Sequence, residues 1–184
     1  YAIYLEMISD NPCKGIKISS KKSVLNENPV PDEKCYTLAE AQKFLNLLQN
    51  EPPIRHAFFA LAIYGGFRKG EILGLTWNDI DFESGIVTIR REAAYTTEKG
   101  HYIDTPKTQK SIRSVKLPPE TLDILKLRRA QQNADRLKVG DRWINNDFVF
   151  TNSFGEPLGD SSMYNWLVRF CKKTGMRMVS IHSF

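Results

Sequence analysis

Cysteine and histidine are scarce in this 184-residue chain, and no long apolar run occurs. Cys13, Cys35 and Cys171 form an odd and widely separated set, which argues against the disulfide framework of a small secreted domain. His56, His101 and His182 are equally scattered. With no C-x-x-C and no short His/Cys pair, neither a metal site nor a cofactor is expected. No stretch approaches the roughly 18–20 apolar residues that a membrane span needs. Nor does a signal peptide open the chain, because Tyr1 to Leu5 is soon followed by Glu6, Ser9 and Asp10. A reducing, cytoplasmic compartment with no membrane partner is the expectation. Internal repeats and low-complexity tracts are missing, as is any aromatic-rich stacking motif of the RRM kind, so RNA binding has no support beyond charge. The chain does not begin with Met, which suggests a piece of a longer polypeptide.

What is present fits a folded unit. At 41% hydrophobic residues the chain can build a core, and its length suits one domain of about 150 residues plus an appendage. Lys and Arg number 26 against 21 acids, a net charge of +5. That balance is compatible with a polyanionic partner without establishing one.

The organisation reads in two parts. Tyr1 to Ile8 has helical periodicity and is stopped at Asn11-Pro12; Lys14 to Lys34 is polar, holds Pro29 and Pro31, and reads as a linker. Residues 1–34 are thus expected to be the end of a preceding domain plus linker, and 35–184 a second domain, incomplete at its C-terminus. Thr37-Leu38-Ala39-Glu40 is a capping box opening a helix with Leu38, Ala41, Leu45 and Leu48 as its apolar stripe. The next helix follows Pro52-Pro53, faces Ala57, Phe58, Leu61 and Ala62 inward, and ends at Gly65-Gly66. A short helix from Arg68 to Leu75 comes next. Trp77–Phe82, Ile86–Arg91 and Ser111–Leu117 read as strands, with turn signals at Ser84-Gly85 and Lys99-Gly100. Helices are expected from Pro118-Pro119 to about Gln132, burying Leu122, Leu125 and Ala130, and from Ser161 to Lys173, burying Met163, Trp166, Leu167 and Phe170. Phe148 to Phe150 is a short apolar segment. The fold class is α+β: mostly helical, with a small three-stranded antiparallel sheet.

Three constellations could carry chemistry. In Tyr64-Gly65-Gly66-Phe67-Arg68-Lys69-Gly70-Glu71, two glycines deliver the chain into a helix whose first turn holds Arg68. A cation is unfavourable at that end of a helix by roughly 0.3–1 kcal/mol unless something negative is near. Glu71, one turn on, can supply the charge. Local chemistry leaves two readings open: a surface Arg–Glu pair worth little, or an arginine held by Glu71 and aimed at a phosphate. The second constellation, Thr105 to Val115, places Lys107, Lys110 and Arg113 on a hairpin between two predicted strands; a solvated basic turn is the plain alternative. The third is Ser180-Ile181-His182-Ser183-Phe184, where a lone histidine could equally be structural.

The run G-x-R-x-x-E-[IL]-x-x-L-x-W-x-D-I, met from Gly66 to Ile80, resembles the first conserved box of the tyrosine recombinases, the phage-integrase family. Thr105 to Val115 is similar to that family's T-x-K-T-x-x-S-x-R-x-[IV] hairpin, and His182-Ser183-Phe184 fits the first three places of its second box. The resemblance spans about Thr37 to Phe184 and implies a tyrosine-recombinase-like catalytic domain. It implies that Arg68 clamps the scissile phosphate, supported by Glu71; that Lys107, more than Lys110, is a general acid; and that His182 contacts the phosphate or manages a proton. Lys69, Lys110 and Arg113 are implied as further phosphate contacts, with Arg113 and Lys116 otherwise solvated. The second-box arginine and the nucleophilic tyrosine are expected after Phe184, since Tyr1, Tyr4, Tyr36, Tyr64, Tyr95, Tyr102 and Tyr164 all precede the box.

By the same resemblance, the full-length protein would be a site-specific recombinase or integrase of a mobile element. It would act on double-stranded DNA through a 3′-phosphotyrosyl intermediate, without metal or ATP, as a homotetramer on paired sites. An excisionase-type accessory factor and association with the nucleoid are implied as well. The 184 residues alone would be monomeric and unable to cleave. Two alternatives stay open: a non-catalytic DNA-binding module on the same scaffold, and a type IB topoisomerase-like enzyme.

Overall fold

A computed structural model describes residues 35–96, 100–104 and 112–181, all within one unit, Glu33–Phe184. The sequence reading of Tyr1–Ile8 and of the linker to Lys34 lies outside the described residues. Among the described residues, five α-helices and five strands follow one another: α1 Leu38–Leu48, α2 Pro53–Gly65, α3 Lys69–Leu73, β1 Ile80–Asp81, β2 Ile86–Ile89, β3 Glu92–Thr96, β4 Gly100–Asp104, β5 Arg113–Lys116, α4 Pro119–Val139 and α5 Ser162–Thr174. The α+β class read from the sequence holds.

Helix α2 forms the axis. Ala57, Phe58, Phe59, Ala60, Leu61 and Ala62 are all buried along it, so its apolar surface runs all round rather than along one stripe. Around it the aromatic rings meet mostly edge to face: Phe44–Phe59 at 5.3 Å, Phe44–Phe170 at 5.4 Å and Phe58–Phe150 at 5.6 Å. Trp166 stacks on Phe170 at 4.6 Å, closing α5 onto the same cluster. This is the geometry that ring quadrupoles favour.

The capping box of α1 forms: the Glu40 carboxylate accepts the Thr37 backbone N–H at 2.8 Å, and Thr37 Oγ1 accepts the Glu40 N–H at 3.3 Å. The predicted stripe holds at Leu45 and Leu48 but not at Leu38. Leu38 is 88% exposed, and Phe44, Leu45 and Leu48 face inward. Gly66 ends α2 in the left-handed conformation (φ +60°), as its sequence predicts. Arg68 is not inside the next helix but caps it, with extended backbone (φ −69°, ψ 151°). The stretch read as strand Trp77–Phe82 is mostly one 3-10 turn, Trp77–Asp79, because the buried Asp79 carboxylate accepts both the Thr76 N–H (3.0 Å) and its hydroxyl (2.6 Å).

The three-stranded antiparallel sheet exists in the order β1-β2-β5, with Val87 opposite Val115 and Ile89 opposite Arg113. An unpredicted two-stranded ribbon, β3–β4, is inserted between β2 and β5. Its polar, alanine-containing strands lack the alternation that marks a half-buried strand. Helix α4 runs seven residues past the predicted Gln132, to Val139, and Ala130 is exposed. The inward places beyond Leu125 belong instead to Arg128 and Gln132. Arg128, 2% exposed, donates to the carbonyls of Val149 (3.0 Å) and Thr151 (3.2 Å). Gln132 donates to the Phe148 carbonyl at 2.9 Å and accepts the Trp77 indole N–H at 2.7 Å. Between them they satisfy backbone groups of the buried Phe148–Thr151 segment that have no helix to serve them.

Candidate active site

Four local facts place Arg68 at the surface. Gly66 turns the chain sharply, Phe67 is buried (3% exposed) as an anchor, and the following backbone is extended, so the Arg68 side chain is thrown outward. It is 69% exposed. The fourth is Glu71, whose carboxylate accepts the Arg68 backbone N–H at 2.8 Å. That is half of a capping box; arginine has no acceptor with which to supply the other half.

Glu71 is the hub. Its side chain is 6% exposed, so the pair is not a solvated surface contact. Arg113, from β5, grips it bidentately, Nη1 to Oε1 at 2.6 Å and Nη2 to Oε2 at 2.7 Å. The Arg68 guanidinium reaches Oε1 at a longer 3.4 Å. Burial alone would raise the Glu71 pKa, but the Arg113 hydrogen bonds, the Arg68 N–H and the two guanidinium charges together hold it below the ordinary carboxylate value. The same pairing raises Arg113 above the usual arginine value. Arg113 also lies 5.9 Å over the Phe67 ring. Arg113 is thus only partly solvated, and its main partner is a carboxylate 42 residues away, a pairing no local motif signals.

The consequence is a site with two guanidiniums on one carboxylate. Arg113 satisfies the geometry of Glu71, and Arg68 keeps most of its fork of N–H donors without a protein partner among the described residues. A planar fork of that kind matches two oxygens of a phosphate. Arg113, on β5, and Arg68 meet at the same carboxylate oxygen, Glu71 Oε1.

Lys69 points elsewhere, into an ion pair with Asp160 at 2.6 Å. The two border a cavity of about 190 Å³ lined also by Ser161, Tyr164, Ser180 and Ile181. Thus the residue after Arg68 and the residue before His182 share one cavity. Lys107, Lys110 and His182 themselves lie outside the described residues. The structure therefore brings together Arg68, Glu71 and Arg113, with Lys69 adjoining. Asp160, and the Arg177 cluster described below, have no sequence signal that would have revealed them. Arg128 did have one, because positions 125, 128 and 132 continue the helical stripe of α4. No group of side chains able to hold a metal occurs among the described residues, and no described helix is long and apolar enough to cross a membrane.

The chain is similar in sequence and fold to known proteins. The chain is 30% identical over 199 residues to a protein named "Tyrosine recombinase XerC-like" from Caldanaerobacter subterraneus, covering 100% of this chain and 49% of that protein. It is 25% identical to the ICEBs1 integrase of Bacillus subtilis, covering 100% and 47%. Against the transposase of transposon Tn916 from Enterococcus faecalis the identity is 30%, over 80% and 36%. Among solved structures, the Tn1549 transposon integrase in complex with circular intermediate DNA superposes with a TM-score of 0.67 at 20% identity, over 95% of this chain and 55% of that one. XerH recombinase bound to palindromic difH substrate gives 0.58 at 20%, over 82% and 39%. These likenesses show a tyrosine-recombinase catalytic fold. The chain spans about half the length of the curated relatives named first. The sequence profile described as "Phage integrase family" matches residues 34–184, and the chain belongs to that family.

Proposed function

We propose that the full-length protein is a site-specific recombinase of a mobile element that cleaves and rejoins double-stranded DNA through a 3′-phosphotyrosyl bond. A tyrosine oxygen, already deprotonated, attacks the phosphorus, the bond to the 5′ oxygen breaks, and that oxygen leaves as a hydroxyl with a proton from Lys107. Attack by another 5′-hydroxyl reverses the step, so the bond energy is conserved in the covalent intermediate. Negative charge grows on the non-bridging oxygens meanwhile, and Arg68 and His182 meet it. The nucleophile and a second arginine are assigned to sequence after Phe184, so the 184 residues by themselves form no adduct.

One observation carries the reading: an exposed arginine rooted on a buried carboxylate that a second arginine already holds. Such a root fixes the direction of the Arg68 fork without neutralising it. The test is a nicked duplex that traps the covalent intermediate, followed by denaturing electrophoresis of the full-length protein. Arg68→Ala should lower the rate of adduct formation by about 10²–10³. Unchanged formation would refute the role given to Arg68. Any adduct formed by residues 1–184 would refute the assignment of the nucleophile.

A further inference from the structure

Between α5 and Ile181, residues 176–180 belong to no helix or strand. After α5 the chain turns at Gly175 (φ +69°), and Met176, Val179 and Ile181 are buried while Arg177 lies toward the surface. Arg177 is held from several sides. Its Nη2 donates to the Cys35 carbonyl at 2.6 Å and to Glu40 Oε2 at 3.0 Å, and its Nε donates to Glu40 Oε1 at 3.2 Å. The guanidinium lies 5.6 Å over the Tyr36 ring. The Tyr36 hydroxyl in turn donates to the Arg177 carbonyl at 2.6 Å. Both the side chain and the backbone of Arg177 are therefore fastened to Cys35, Tyr36 and Glu40, and Glu40 is itself fixed by the α1 capping box.

This is more fastening than an exposed ion pair needs. It uses the fork of an arginine, which a lysine cannot reproduce. Five residues beyond the clamp lies His182, and the residues just before it, Ser180 and Ile181, line the cavity shared with Lys69. Five extended residues can reach up to about 17 Å, so an unclamped segment could carry the imidazole well away from the phosphate. A misplacement of about 1 Å can cost about 10²-fold in rate.

We propose that Arg177 is a positioning residue: anchored on Glu40, Tyr36 and the Cys35 carbonyl, it fixes Met176–Ile181, the segment from which His182 acts on the phosphate. The proposal rests on the reading of His182 as a phosphate-facing group.

The test is a cycle on the full-length protein, with single-turnover adduct formation on the nicked duplex and DNA affinity both measured. Arg177→Ala should slow adduct formation about 10–100-fold while affinity stays within about twofold, and Arg177→Lys should fall between it and the unsubstituted protein. In a His182→Ala background, adding Arg177→Ala should change the rate by less than about twofold, because the two act through one group. An equal slowing in both backgrounds, or none in either, overturns the positioning role and leaves the His182 reading intact. A normal rate for His182→Ala alone overturns that reading, and the proposal with it. If Arg177→Ala does not fold, Arg177→Lys and Tyr36→Phe run through the same cycle with the same criteria.

Discussion

Glu71 decides the charge at the site. Its two oxygens face three N–H groups of two arginines and the Arg68 backbone, and the shorter contacts go to Arg113. The balance leaves one net positive charge at the surface, on Arg68. Because the Glu71 pKa is lowered on folding, its contribution to stability is complete above the ordinary carboxylate range and is lost as pH falls below it. Glu71→Gln should therefore flatten the acid side of the stability–pH curve, measured by denaturant titration between about pH 3 and 7. It should also cost about 1–3 kcal/mol at neutral pH, where a charged hydrogen-bonded pair is weakened. A variant with an acid limb as steep as the unsubstituted protein would contradict this. Glu40, held at about 2 chiefly by its Arg177 hydrogen bonds, and Asp81, lowered by Ser84, keep some slope in either case. At this scale the sequence shows which residue types sit together within one turn, as in Arg68 and Glu71. It does not show that Glu71 is buried or that Arg113 takes it, because that depends on how β5 meets α3.

Helix α3 is short enough that its packing, not its own propensity, must hold it. It lies on β3 through two glycines. A methyl group on Gly70 would come within 2.8 Å of the Ala93 carbonyl, and one on Gly74 within 3.1 Å of the Ala93 nitrogen. Gly66 differs: nothing lies within 4 Å of its missing side chain, and only its positive φ is at issue. Gly70→Ala should therefore destabilise by about 1–3 kcal/mol through overpacking. Gly66→Ala should cost about 1–2 kcal/mol through backbone strain. Asparagine, which tolerates the left-handed region, should recover part of the loss at Gly66 and none at Gly70. Thermal unfolding of the four variants checks this, and equal rescue at both positions would contradict it. Element boundaries were legible where side chains make local bonds, as at Thr37–Glu40 and Gly65-Gly66. They were not legible where the partner is distant. The inward face of α1 is set by α2 and α5, which is why Leu38 is exposed; the β3–β4 ribbon is built from pairing rather than from apolar alternation.

Across the whole described unit, Arg68 and the Arg177 segment both project from the aromatic cluster about α2 and α5. Arg68 follows directly from the end of α2, and the Arg177 segment follows directly from the end of α5, so packing among Phe44, Phe59, Trp166 and Phe170 sets the spacing of both. The first-box motif was legible as a whole because Arg68, its carboxylate Glu71 and the tryptophan turn all lie within fifteen positions. The pairing of Glu71 with Arg113 depends on long-range packing, which no local pattern specifies. If Arg68 acts by meeting the charge of the scissile phosphate, neutralising that phosphate should remove the need for it. The direct measurement is single-turnover cleavage by the full-length protein and its Arg68→Ala variant, on a duplex with an ordinary phosphate or a neutral methylphosphonate at the cleavage position. The deficit of the variant should shrink from about 10²–10³ on phosphate to less than about tenfold on methylphosphonate. A deficit of the same size on both substrates would contradict the account.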